Sequence, residues 1–258
     1  MIFIISLITI ICIISLCYLF YNLTQTVIRD KILISIVTID RDHKIINKVY
    51  NSIKNLLKLD NVNLLIVCRE TDVQCINKWT KLYSNVIIKT IPHYDITNRH
   101  NVNALILKRN LARNYAINNN YDYLFFIDSD IIINKFTLHK LIKGCNYPHN
   151  CDVCFVPYTV KWLKKPAVGI INKNTESGFS IKIINNNNNS YLDSYESCAI
   201  GGMGCTLLNK RAMFIPFEYI KLQNNDQNVL GEDIGYFYNA HKEGLSVKYL
   251  KNHNIKHL

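Results

Sequence analysis

Tyr123-Leu124-Phe125-Phe126-Ile127-Asp128-Ser129-Asp130 is the stretch whose reading decides the rest of the chain. A mostly apolar run of this length reads as a buried strand, and it finishes in Asp-x-Asp. Residues i and i+2 of an extended segment share one face, so both carboxylates can address one cation at a sheet edge. Hard oxygen ligands suit Mg2+ or Mn2+, which take one or two protein carboxylates and complete their shell with substrate phosphates. The pattern therefore points to a metal-bridged diphosphate. Asp-Ser-Asp after a strand is also ordinary turn chemistry, because these side chains bond their own backbone. The tripeptide alone does not separate the two readings.

Upstream, residues 31–38 (Lys-Ile-Leu-Ile-Ser-Ile-Val-Thr) form another buried-strand run. Ile45, Ile46, Val49, Tyr50, Ile53, Leu56 and Leu57 then recur at helical spacing. Residues 62–68 predict a second strand, 73–82 a helix, 85–91 a third strand, and 102–117 a helix carrying Lys108, Arg109 and Arg113. Strands alternating with helices imply an α/β fold with a mostly parallel sheet flanked by helices on both faces. Ligands bind such sheets at the carboxyl ends of strands, where Asp128 and Asp130 fall. Downstream the pattern changes to shorter strands near 153–158, 179–184 and 205–209, a helix from about Glu232, and a last strand at 246–250. The asparagine tract 185–189 reads as a loop. Without repeats or a linker, residues 25–258 read as one domain.

Other residues invite chemistry, each beside a plainer reading. Arg109 and Arg113 share a helical face and suit phosphate oxygens, or form a solvated basic face. Gly201-Gly202-Met203-Gly204 lets backbone approach a ligand, or makes a turn. Glu232 and Asp233 open a helical pattern, which the helix dipole favours, and a carboxylate there also suits a general base. His253 and His257 follow the last strand, where neutral imidazole is a metal ligand or simply a surface or core residue. Cys151-x-x-Cys154, near Cys145 and His149, has the local spacing of a zinc pair. No second pair lies at finger-like distance, and Cys154 belongs to an apolar strand.

The chain of 258 residues carries 30 Lys+Arg against 19 Asp+Glu, a formal charge of +11. That favours anionic partners. The charge is scattered and no RNA-recognition or zinc-finger pattern occurs, so nucleic acid is not an expected partner. Residues 2–21 are uncharged and almost wholly apolar, long enough for a bilayer core of about 30 Å. Lacking a basic start and a small-residue cleavage site, the segment reads as an uncleaved single-pass anchor, with a short stem making up residues 1–24. Arg29, Lys31, Arg41 and Lys44 follow the span, which by the positive-inside rule would keep the domain cytosolic; the side of the membrane stays open. Of nine cysteines, Cys12 and Cys17 lie in the anchor, and the odd number left does not resemble a disulfide framework.

Taken in order, Val37-Thr38-Ile39, Thr71-Asp72, Arg109-Asn110, Asp128-Ser129-Asp130, Gly201-Gly202, Glu232-Asp233 and His257 resemble nucleotide-sugar glycosyltransferases of the GT-A fold, especially family-2-like enzymes. From Gly201 to His257 the chain also looks like the fungal mannan-polymerase mannosyltransferases. The resemblance implies a Rossmann-like GT-A domain and a UDP- or GDP-linked sugar as donor. It implies a glycan, protein or lipid hydroxyl as acceptor and Mn2+ or Mg2+ as cofactor. It places Val37, Thr38, Ile39 and Asp72 around the nucleoside, Arg109 near the diphosphate, Asp128 at the ribose or a metal-bound water, and Asp130 and His257 on the metal. Asp233 becomes the general base of an inverting enzyme, with Glu232 orienting it or the acceptor. One departure is Val67-Cys68-Arg69-Glu70, where family-2 enzymes usually place an Asp that reads uracil. The nucleotide base is thus open, and the mannan-polymerase likeness brings a retaining mechanism as the other stereochemical course.

Two other enzyme classes use similar pieces. Haloacid-dehalogenase-type phosphatases place Asp-x-Asp near the domain start with Thr or Val two residues on; here Ile132 stands there and several strand–helix units come first. Sugar nucleotidyltransferases carry a Gly-rich basic phosphate loop after the first strand, where this chain has Asp40-Arg41-Asp42. A non-enzymatic basic membrane protein would need the Asp pair, Glu-Asp and His to coincide by chance.

Overall fold

The computed structural model describes residues 30–37, 43–70, 73, 80–81, 83–91, 102–160, 165–166, 168–172, 180–183, 194–221, 229–253 and 255–258. In chain order these hold β1 (Ile32–Val37), α1 (His43–Ile53), β2 (Val62–Arg69), β3 (Val86–Ile91), α2 (Val102–Asn118), β4 (Tyr123–Asp128), β5 (Ile131–Ile132) and α3 (Thr137–Cys145). There follow β6 (Val153–Phe155), β7 (Thr159–Val160), β8 (Lys165–Pro166), β9 (Val168–Asn172), β10 (Ser180–Ile183), β11 (Ser194–Ser197) and β12 (Ile200–Gly201). The chain ends with β13 (Cys205–Asn209), α4 (Lys210–Met213), β14 (Ile220–Lys221), β15 (Val229–Leu230), α5 (Glu232–Lys242), β16 (Val247–Lys251) and β17 (Lys256–His257). Lys31–Leu258 is one compact unit.

Eight strands make the main sheet in the order β11-β16-β6-β13-β4-β1-β2-β3. β3, β2, β1 and β4 run parallel; β13 is antiparallel to both β4 and β6, β16 is parallel to β6, and β11 is antiparallel to β16. A mixed, mostly parallel sheet is the result. The register follows from burial. Every residue of β1 is buried, as expected of a strand covered on both faces, and β1 pairs with Val62–Val67 on one side and Tyr123–Asp128 on the other. The edge strand β3 is buried only at its two ends, and β11 has no buried residue. α2 lies against the sheet through the fully buried Ala112 and Ala116, whose small side chains let the helix approach closely.

The expected strands at 31–38, 62–68, 85–91, 123–127, 205–209 and 246–250 and the helix at 102–117 fall within a residue or two of β1, β2, β3, β4, β13, β16 and α2. The strand expected over 153–158 stops at Phe155, because after Val156 donates to the Cys205 carbonyl (3.0 Å) the chain leaves the sheet toward Tyr158. Most of the helix expected at 73–82 and the asparagine tract 185–189 lie outside the described residues, as does the anchor at 1–24. Among the described residues no helix is long and apolar enough to cross a membrane.

The C-terminus is tied into the fold. β17 pairs antiparallel with β5, matching His257 to Ile131 and Lys256 to Ile132, and the Leu258 N–H donates to the Asp130 carbonyl at 2.9 Å. Two short strands therefore bring the last residues beside the end of β4.

Candidate active site

The site lies at the carboxyl end of β4. Asp130 is buried, and its Oδ2 is 3.0 Å from Nε2 of His257. His257 Nδ1 lies 3.2 Å from the Thr159 carbonyl oxygen. Both partners of the ring are acceptors, and a neutral imidazole has one N–H. With Nδ1–H donating to Thr159, Nε2 serves Asp130 in one of two ways: as a second N–H of an imidazolium, or as a lone pair that shares a cation with the carboxylate. A ring that gives its other N–H to a backbone carbonyl is the usual arrangement of a metal-ligating histidine. The 3.0 Å separation also matches two neighbouring ligands of an octahedral ion at ~2.1 Å from each. The donor set fits a hard divalent cation.

His253 has a different place. It is buried, with Nε2 2.9 Å from Thr137 Oγ1 and 3.1 Å from Asn134 Nδ2, and Nδ1 3.3 Å from Lys140 Nζ. Of the two late histidines, His257 meets Asp130 and His253 meets the start of α3.

Asp128 belongs to a second arm. Its Oδ1 accepts from Nη2 of Arg109 at 3.1 Å, and Nε of Arg109 donates to Oε1 of Glu232 at 3.2 Å. Arg109 is 3% exposed, and its guanidinium lies over the rings of Phe126 and Phe217. Burial pulls its pKa down, but Asp128 and Glu232 outweigh that and leave it raised. Nη1 of Arg109 is buried without a partner among the described residues. The expectation that Arg109 meets a diphosphate is joined by a different first task, the neutralising of two carboxylates. Arg113, one turn on, bonds Phe214 and Asn114 and stands apart from the site. Asn110 exchanges two hydrogen bonds with the Phe217 backbone, fixing the segment before α5 against α2.

Burial raises the pKa of Asp128, opposed by Arg109 and reinforced by Asp130 and Glu232. Asp233, at the first turn of α5, is pushed up to about 7, first by burial and then by Glu232. Its Oδ1 accepts from the Ile234 N–H at 2.8 Å. A carboxylate titrating near neutrality is suited to take and return a proton.

The glycine cluster serves this site. The Asp128 N–H donates to the Gly204 carbonyl at 2.9 Å, and a Cβ on Gly204 would stand 2.7 Å from Asp128 Oδ2 and 2.9 Å from the Tyr158 ring. A Cβ on Gly202 would stand 2.8 Å from Tyr158 Oη. Only glycine leaves room there. Tyr158, not singled out from the sequence, packs edge-on against His257 with ring centroids 5.2 Å apart. Burial, then Asp128 and Asp233, push its phenol well up, so it stays a neutral O–H. Its signal was its place just past a strand's carboxyl end.

Val37 ends β1 buried, in register with Asp128 and Val67. Thr38, Ile39 and Asp72 lie outside the described residues. Among the described residues no three of His, Cys, Asp or Glu are set to hold a metal ion unaided. That applies to the cysteine cluster, where Cys151 donates to the Gly144 carbonyl and lies 3.9 Å from Cys145 Sγ. It applies equally to Asp128, Asp130 and His257, so a cation at the Asp130–His257 pair needs oxygens from a ligand to complete its shell.

No protein-family model matches the chain, and no curated protein sequence matches it. Solved structures do. S. aureus TarS, residues 1–349, superposes with a TM-score of 0.51 at 17% identity over 87% of this chain and 59% of that one. Glucosyl-3-phosphoglycerate synthase from Mycobacterium tuberculosis, in complex with Mn2+ and UDP-glucose, does so with a TM-score of 0.51 at 12% identity over 89% and 72%. This chain has the GT-A fold. It thus spans less than two thirds of the TarS segment it resembles, and at these identities the likeness is one of fold.

Proposed function

We propose that the chain is a divalent-metal-dependent glycosyltransferase that moves a sugar from a UDP- or GDP-linked donor to a hydroxyl of a glycan, protein or lipid. The observation that carries this reading is the His257–Asp130 pair, an imidazole nitrogen 3.0 Å from a buried carboxylate at the end of β4 in a GT-A fold, with the other ring nitrogen against a backbone carbonyl. The Mn2+ and UDP-glucose bound by glucosyl-3-phosphoglycerate synthase support it. Asp130 and His257 would hold Mn2+ or Mg2+, with Asp128 contributing through the oxygen that Arg109 leaves free. Such an ion offsets charge on a departing diphosphate as a Lewis acid.

The rest is work for the chain's own groups. Asp233 takes the proton of the acceptor hydroxyl as that oxygen bonds to the anomeric carbon and the bond to the diphosphate breaks. This course inverts the anomeric centre. Glu232, held by Arg109, fixes the start of α5 and so the aim of Asp233. Val37, with Thr38, Ile39 and Asp72, forms the nucleoside pocket, and the apolar segment 2–21 tethers the domain to a membrane.

A panel of UDP- and GDP-sugars tests this, read as thermal stabilisation and as Mn2+-dependent donor hydrolysis or transfer. At least one donor should stabilise the protein and turn over, and chelator should stop turnover. Full turnover in excess chelator, or no response across the panel, overturns the proposal.

A further inference from the structure

Tyr158 has a hydroxyl with nothing to bond. Its ring fills the gap left by Gly202 and Gly204 and meets His257 edge-on. Asp128, Asp130, Asp233 and Arg109 all lie near enough to act on it electrostatically. Yet its only described contact of a specific kind is the His257 ring; Oη has no hydrogen-bond partner among the described residues. Tyr158 is half-buried, so its O–H is left to solvent or to a ligand entering the site. Arg109 Nη1 is a second donor without an acceptor among the described residues, and this one is buried.

Two unpaired donors in a site otherwise furnished with carboxylates define what they await. A sugar hydroxyl both donates and accepts, and the carboxylates of Asp128 and Asp233 would serve it as well as a phenol would. A phosphate offers only acceptor oxygens, and among the described residues of the site Tyr158 and Arg109 have donors to spare for it. The position agrees: Tyr158 stands beside His257, on the side of the site where Asp130 is held.

We propose that Tyr158 is a donor-binding residue whose phenol O–H bonds an oxygen of the diphosphate, with Gly202 and Gly204 kept free of side chains so that the ring can stand there. The proposal rests on the glycosyltransferase reading and adds a residue and a ligand group to it. Loss of the hydroxyl removes one hydrogen bond to a charged group and leaves the ring contact with His257 in place.

The test is calorimetric titration of the full chain with inorganic pyrophosphate in saturating Mn2+, for the parent and Tyr158→Phe. Mn2+ affinity without pyrophosphate and the melting temperature are measured alongside. Tyr158→Phe should bind pyrophosphate about tenfold more weakly, with Mn2+ affinity and melting temperature unchanged. Tyr158→Ala, which also removes the ring from His257, should weaken Mn2+ binding as well. Equal pyrophosphate affinity in parent and Tyr158→Phe overturns the assignment and leaves the glycosyltransferase reading standing. A parent that binds no pyrophosphate with Mn2+ present overturns both.

Discussion

The two arms of the site solve the problem of buried charge in opposite ways. In one, Arg109 lies between Asp128 and Glu232, so a buried cation is matched by two carboxylates at 3.1 and 3.2 Å. In the other, Asp130 is buried against a histidine whose second nitrogen already faces a carbonyl. The first arm matches its charges within the protein, with Nη1 of Arg109 left over. The second sets a carboxylate beside an imidazole, a group whose charge depends on its protonation, so its balance is open to a proton or a cation. On the proposed reading, the first arm belongs to the scaffold and the second to the binding site. The clamp fixes where α2, β4 and α5 meet, through Arg109, Asp128 and Glu232.

Breaking the waiting arm should therefore cost function and spare the fold. Asp130→Ala should lower turnover by about 10³-fold or more, the scale of several kcal/mol of lost charge stabilisation. Its fold should survive, because β4 is held in register by its pairing with β1 on one side and β13 on the other. Turnover assays at several Mn2+ concentrations with parallel thermal melts check both halves. A variant that unfolds would show that the pair belongs to the scaffold.

Asp233 sharpens the comparison because it stands next to the clamp without being in it. Asp233→Asn should lower turnover by about 100-fold or more while donor binding survives. The parent's rate should rise with pH through about 7 as Asp233 ionises. Stability moves the other way. A carboxyl whose folded pKa lies above its unfolded value binds more protons when folded, so its contribution is fully present below the unfolded pKa and is lost as pH climbs through about 7. Asp233→Asn, neutral at every pH, should thus melt higher than the parent at pH 8, with the gap closing toward pH 4. A pH-independent gap would mean that Asp233 ionises normally in the fold.

The two late histidines separate the arms at smaller cost. His257→Ala should weaken Mn2+ binding by about tenfold or more with little change in stability. His253→Ala strips partners from Thr137, Asn134 and Lys140 and should lose about 1–3 kcal/mol of stability with Mn2+ affinity intact. Titration of each variant with Mn2+, set beside its denaturation curve, reads both effects. The opposite pattern would exchange the two roles.

Much of this was legible in the sequence, and the limit has a physical cause. β1, β2 and β4 are buried almost throughout, so they write themselves as mostly apolar runs, and the carboxyl end of such a run marks the place of Asp128 and Asp130. β11 did not show, because the half-exposed edge strand Ser-Tyr-Glu-Ser carries no such run. α3 escaped notice although Leu138, Leu141, Ile142 and Cys145 repeat at helical spacing. Within the site, a likeness of motif order brought out Arg109, Glu232 and His257, but not what each touches. The Arg109–Glu232 bond joins residues 123 apart and the His257–Asp130 contact residues 127 apart. No local periodicity encodes such pairings. Tyr158 was missed for the same reason: its neighbours Gly202, Gly204 and His257 are distant in sequence, and a lone tyrosine after a short strand looks like any other.

The smallest effect expected is from removing residues 1–24, a change that should disturb neither arm. The fold begins at Lys31. Its N–H donates to Asp122 Oδ2 at 2.7 Å, its Nζ to the Asn119 carbonyl at 2.8 Å, and its own carbonyl accepts from Asp122 and Tyr123. These bonds lock the entry of β1 beside the entry of β4, so the register of the sheet's centre is set from Lys31 onward. If residues 2–21 are an appended anchor, the shortened chain should be soluble without detergent and keep its melting temperature. Its Mn2+-dependent rate on a soluble acceptor should match that of the full chain within about twofold, the ±0.5 kcal/mol expected of changes remote from any packed feature. Persistent aggregation of the shortened chain, or a melting temperature many degrees lower, would instead make the apolar segment part of the folded core. The separation of scaffold from site would then have to include it.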